Sequence, residues 1–215
     1  MSRWGGLLQV WSTARHEQAI SAERDLRAPL PVVRRIGFAS LRGGTGCSTA
    51  ARGVASTLDG RRSGGVLLLD AADASPIRSP LSDSGTGRAP ELTLTDWGSI
   101  DAARLSTISA SSHVLCLTST TERPAVQQAL DAASSVIASG TPTVLVASSV
   151  RGRATPAARR MLASSPVPVF LLPFDRTVRL GEPGARSSAS AFALATLSAE
   201  IVRLGGRSST EVLVA

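Results

Sequence analysis

From Val32 onward the chain is built of short apolar runs separated by alanine-rich segments, and this alternation confines it to one class of fold. The runs at 35–40 (RIGFAS), 66–70 (VLLLD), 92–96 (LTLTD), 113–118 (HVLCLT), 143–148 (TVLVAS) and 167–172 (VPVFLL) have the length of buried strands. Segments 48–58, 100–109, 122–139, 155–164 and 188–204 read as the helices between and after them. A strand, a helix and a further strand in repeated order predict an α/β, doubly wound domain with a mostly parallel sheet. At 215 residues the chain suffices for one sizeable core, set at 31–204, with an N-terminal extension at 1–30 and a C-terminal tail at 205–215. The proline-, serine- and glycine-rich stretch 73–91 reads as a long loop, either a functional switch or a disordered segment.

Between the first strand and the first helix lies LRGGTGCSTA, residues 41–50. A glycine-rich turn in that position points backbone amides and a helix N-terminus toward one anionic site. Gly43, Gly44 and Gly46 can form such a cradle, and Ser48 and Thr49 supply hydroxyls. A phosphate loop normally carries lysine after its last glycine, to reach the outer phosphates, and then a hydroxyl for magnesium. Here Cys47 stands at the lysine position. All 23 basic residues are arginines, so no lysine elsewhere in the chain can take its place. Cysteine is shorter and normally neutral, and a thiolate favoured by the helix N-terminus would repel phosphate rather than replace an ammonium. A redox-sensitive role is the alternative for Cys47.

The candidate nucleotide-binding set is therefore Arg42, Gly43, Gly44, Thr45, Gly46, Cys47, Ser48 and Thr49, in a core of the P-loop NTPase kind. Asp70 and Asp96 end their predicted strands, where open α/β sheets gather ligands. Ser48 supplies a hydroxyl of the kind that such a loop offers to magnesium. Each has a plainer alternative, because aspartate often begins a turn and serine often begins a helix. His113, at the head of an apolar strand, and Cys116 read as structural.

The segments RGGTGCSTAARGVASTL at 42–58, VLLLDAADASP at 66–76 and PFDRTVRLGEPGA at 173–185 together resemble the MinD/ParA family of deviant Walker-type ATPases. The resemblance implies that Arg42 occupies the position of the family's signature lysine and Cys47 that of its second lysine. It matches Asp70 to the first aspartate of an Asp-x-Asp segment. Ala72 falls at the second, with Asp73 one place late, so the resemblance leaves Asp70 and Asp73 as the only candidates for catalysis and implies Ser48 and Asp96 as the magnesium pair. It matches Asp96 to the magnesium-supporting aspartate, with Trp97-Gly98 where prolines are usual. Ser148 and Ser149 fall about where an adenine-recognising asparagine is expected, and Arg176 and Arg179 lie in a segment near the nucleotide.

These departures predict a positioning or regulatory protein of weak or absent ATPase activity. It resembles the CpaE/TadZ and septum-site-determining branch, which implies protein partners in pilus or secretion localisation or in division-site regulation. ATP or ADP with magnesium is one expected ligand state and an empty site the other. Two further readings stay open: an ATPase switch that forms a homodimer around nucleotide, and a nonspecific DNA-binding partition protein. The last would use Arg151, Arg153, Arg159 and Arg160, which equally suit an ordinary solvated helix. No apolar run approaches the roughly 20 residues of a membrane span, and the start lacks the form of an export signal. The expected location is cytoplasmic, or peripheral at membrane, pole or septum. Trp4, Leu7, Leu8 and Trp11 make an apolar stripe at helical spacing, suited to packing on the domain, docking a partner or lying at an interface.

Overall fold

The computed structural model describes residues 4–71, 90–150, 154–175 and 187–206, with side chains from Arg15 onward. Strands β1 (Arg34–Ser40), β2 (Val66–Asp70), β3 (Leu92–Ser99), β4 (Val114–Thr120), β5 (Thr143–Ser148) and β6 (Val169–Leu172) form one sheet. Their order is β2-β3-β1-β4-β5-β6, and every pairing is parallel. The helices are α1 (Trp4–Leu26), α2 (Cys47–Asp59), α3 (Ala102–Ser111), α4 (Arg123–Ala138), α5 (Pro156–Ala163) and α6 (Ser188–Gly206).

Period-two alternation along the strands divides the core into two layers. Ile36, Phe38, Leu94, Cys116 and Val146 face α1, α2 and α6, where they meet Leu26, Val54, Leu58, Leu197 and Ile201. Ala39, Leu115, Leu117 and Leu145 face the other way, onto Leu105 and Ile108 of α3, Val126 and Ala133 of α4 and Leu162 of α5. The expected doubly wound sheet is thus present, with all described pairings parallel.

Local chemistry shifts several boundaries. Asp101 accepts the backbone N–H of Arg104 at 2.8 Å and so caps α3, which starts at Ala102 rather than 100. Thr155 caps α5 in the same way through Ala158. Pro166 and Pro168 lack the N–H that a ladder needs, and β6 begins only at Val169. β3 runs on to Ser99, so Asp96 lies inside the strand instead of closing it. Its phase then matters. Leu92, Leu94 and Asp96 occupy the buried positions of β3, which places a carboxylate on the α2 face, in line with two core leucines.

Within the segment 1–30, α1 packs on α6, and Ala22 and Leu26 enter the core beside α2. The side chains of Trp4, Leu7, Leu8 and Trp11 lie outside the described residues, as do residue 72, residues 73–89 of the long loop and the tail from 207. The junction of α1 with the domain is held by Arg62, whose side chain is only 3% exposed. It donates to the carbonyls of Leu26 and Ala28 at 2.7 and 3.0 Å and forms a two-pronged pair with Glu91 at 2.5 and 3.2 Å. A guanidinium cannot shed its charge, so this burial is tolerable only with all of these acceptors present. Replacing Arg62 by Ala should lower the unfolding free energy by about 2–4 kcal/mol in urea titration, because Glu91 and two carbonyls lose their donor. Arg27→Ala, which breaks only an exposed pair with Glu23, should change it little.

Candidate functional site

The loop leaves β1 at Ser40 and enters α2 at Cys47, at the carboxyl end of the sheet's central strand. β1 is flanked there by β3 on one side and β4 on the other, which is the switch point where the strand order changes direction. Gly44 and Gly46 have φ of 73° and 83°, the left-handed region that side chains other than glycine rarely adopt. Gly46 is the residue before α2 and offers no side chain to cap it, so the amides of the first turn remain available to a ligand.

Hydroxyls fasten this loop to its neighbours. Thr45, 3% exposed, lies 3.0 Å from the Thr118 hydroxyl, among the last residues of β4 before Thr120, and Thr118 donates to the Ala39 carbonyl at 3.3 Å. Because each hydroxyl carries one proton, the consistent direction is Thr45 to Thr118 to Ala39. On the β3 side, the Ser40 hydroxyl lies 2.9 Å from the Arg42 carbonyl and 3.1 Å from that of Gly98. From β5, Ser148 faces Gly46: a Cβ at that glycine would come within 3.2 Å of the Ser148 hydroxyl. That hydroxyl is buried and has no hydrogen-bond partner among the described residues.

Cys47 is buried beneath the loop, and its thiol donates to Asp96 Oδ1 at 3.4 Å. Gly98 N–H donates to the same oxygen at 3.0 Å. Burial first, and then the Asp96 charge, push the thiol's pKa far above its ordinary value. The possible helix-dipole activation of this cysteine is therefore outweighed, and the side chain is a neutral thiol. Ser48 is half-buried beside it and Thr49 is exposed. The described contact to Asp96 comes from Cys47, one residue before the hydroxyl expected to share a metal with that aspartate.

Asp70 and Asp96 are neighbours across the β2–β3 pairing, and the Ala71 N–H donates to the Asp96 carbonyl at 2.8 Å. Arg52, on α2, lies 3.7 Å from the Asp70 carboxylate. Arg42 is exposed and donates through Nε to Gln128 Oε1 of α4 at 2.8 Å. The sheet thus gathers Arg42 through Thr49, Asp70 and Asp96 at one end. Asp73, Arg151, Arg153, Arg176 and Arg179 lie outside the described residues. Arg159 and Arg160 are exposed on α5, in the layer opposite α2. His113 lies before β4 at the other end of the sheet, where its Nδ1 accepts the Arg35 N–H at 3.1 Å. Burial and the Arg34 and Arg35 charges hold its pKa below the usual histidine value, so its role there is that of a neutral structural acceptor.

Thr118, Arg52 and Gln128 were not legible as site residues. Thr118 ends an apolar strand without a motif around it, and the other two depend on how helices dock. Ser148 was noticed for a base-recognition position, whereas the structure turns it toward the loop.

This architecture is the fold of the MinD/ParA-like P-loop ATPases. The septum-site-determining protein MinD of Pyrococcus horikoshii, solved with Mg-ADP, matches with a TM-score of 0.60 at 17% identity, over 81% of this chain and 98% of that one. The cell division ATPase MinD of Pyrococcus furiosus matches at 0.57 and 16% identity, over 78% and 98%. A Borrelia burgdorferi protein assigned to plasmid partition, bound to AMPPNP, matches at 0.57 and 14%, over 80% and 99%. No family model matches the chain, and no curated protein matches its sequence.

The chemistry of the buried thiols makes a direct prediction. Native protein should leave Cys47 and Cys116 unmodified by a thiol-specific disulfide reagent, and denatured protein should react at both. Both thiols are raised in the fold, so the unfolded chain loses their protons first and stability should fall as pH rises past about 9. With no lysine and no tyrosine in the chain, few other groups titrate in that range. Urea midpoints that stay level from neutral pH to about pH 10 would contradict this assignment.

Proposed function

We propose that the chain is a degenerate MinD/ParA-like positioning or regulatory protein, which holds a phosphate tail in its loop, turns ATP over weakly or not at all, and acts through protein contacts. The observation that carries this reading is Cys47: at the position where a lysine would meet the transferred phosphate, a neutral thiol is buried against Asp96. Phosphoryl transfer on such a fold depends on positive charge at the reacting centre. Removing one well-placed electrostatic donor typically costs about 3–4 kcal/mol of barrier. Arg42, at the other lysine position, is bonded to Gln128 of its own chain.

Retention of a phosphate-bearing ligand is supported by the left-handed glycines, the uncapped start of α2 and the unpartnered Ser148 hydroxyl beside Gly46. The partner setting, pilus or secretion localisation or septum-site regulation, follows from the resemblance and from the kinds of protein that share the fold. Among the described residues no helix is long and apolar enough to cross a membrane, so attachment to one would be peripheral or through a partner. The exposed Arg159 and Arg160 are accounted for by a solvated face of α5.

Phosphate release from Mg-ATP tests the reading. Turnover should stay at background. A rate like that of a MinD/ParA protein with both lysines would overturn it. Cys47→Lys should not restore such a rate, since Arg42 remains tied to α4 and the Asp-x-Asp segment remains altered.

A further inference from the structure

We propose that the loop takes its phosphate-bearing ligand without a divalent cation, because one oxygen of the carboxylate that would anchor the cation already accepts two donors of this chain. The proposal rests on the reading above that the loop holds a phosphate tail. Magnesium asks for hard oxygen ligands in near-octahedral array and usually retains several waters. Asp96 offers a poor start for such a shell. It is 2% exposed, and its Oδ1 accepts both the Gly98 N–H at 3.0 Å and the Cys47 S–H at 3.4 Å. The α2 group in hydrogen-bond contact with it is a sulfur, a soft donor that magnesium does not favour. The Asp96–Cys47 pair therefore does not fit the cation that the fold family implies.

The residues of the loop do fit an anion. The Gly98 N–H and the Cys47 S–H satisfy Asp96 Oδ1 from within the chain. The phosphate side of the loop is independent of that carboxylate. It consists of backbone amides around Gly44 and Gly46, the start of the 13-residue α2, and Ser148, 7% exposed with its hydroxyl unpartnered. A buried hydroxyl in want of a partner, set beside the left-handed Gly46, is placed to donate to an oxygen lodged in the turn.

Calorimetric titration of the full chain with ADP, once in EDTA and once in magnesium chloride, tests this. Affinity in EDTA should be at least equal to that in magnesium. A gain of about tenfold or more on adding magnesium would overturn the cation-free site while leaving the phosphate reading intact. No binding in either arm would overturn both. Cys47→Ala removes only the sulfur from a small buried side chain and should make ADP binding magnesium-dependent, since Asp96 then lacks one donor. A variant that binds ADP as indifferently to magnesium as the parent would refute the role given to the thiol. Ser148→Ala should weaken ADP binding in EDTA by about threefold or more, and unchanged affinity would remove Ser148 from the site.

Discussion

The burial of β1 is the constraint on which the rest of the molecule depends. The strand is hydrogen-bonded to β3 on one edge and β4 on the other, with Ile36 and Phe38 under α1, α2 and α6 and Ala39 under the opposite layer. The packing is close enough that a side chain at Gly37 would meet the Ser112 hydroxyl within 2.6 Å. A strand held on all four sides is open only at its two ends, and the glycine loop emerges at the carboxyl one. Because β1 lies between strands reached by different crossovers, Asp96 of β3 and Thr118 of β4 come to stand on either side of that loop.

Charge is handled without lysine, and this shapes both the scaffold and the site. Arginine keeps its proton under all ordinary conditions, so each one that enters the protein must find acceptors. Arg62 finds them at the α1 junction, Arg52 at Asp70 and Arg42 at Gln128. The last two stand close to the loop, yet their contacts run to side chains of the same molecule. The position nearest the phosphates in an intact loop is instead a neutral, buried sulfur. Among the described residues, then, the cradle keeps the fixed dipoles of its backbone, while Arg42 and Arg52 pair with side chains of the same chain.

Most strands and helices were legible because their periodicities are strong and their lengths ordinary. The runs at 66–70 and 143–148 coincide with β2 and β5. The departures came where a side chain rather than a pattern set the boundary, as with Asp101 at α3 and the two prolines before β6. Helix α1 was less legible, since Gly5 and Gly6 weaken its start and its apolar stripe admitted several uses. Its packing is described only near its end, through Ala22 and Leu26. Within the candidate site, the loop residues were readable from their place after β1 and Asp70 from its place at the end of β2, whereas the strand that Asp96 was expected to close runs on to Ser99. Ser148 could not be read as a neighbour of Gly46, because roughly a hundred residues of chain separate them and only the parallel order of β1, β4 and β5 brings them together.

By itself the sequence determined the α/β class, the glycine cradle and the absence of any lysine to charge it, since these follow from residue type and spacing along the chain. Only the tertiary structure decided what the cysteine does. Extension of β3 through Asp96 put that carboxylate in the buried phase of the strand, and the docking of α2 brought the thiol to it. Whether a side chain is charged, and whether a carboxylate is free for a cation, depends on burial and on which donors approach in space. Neither is encoded in the local pattern of the loop.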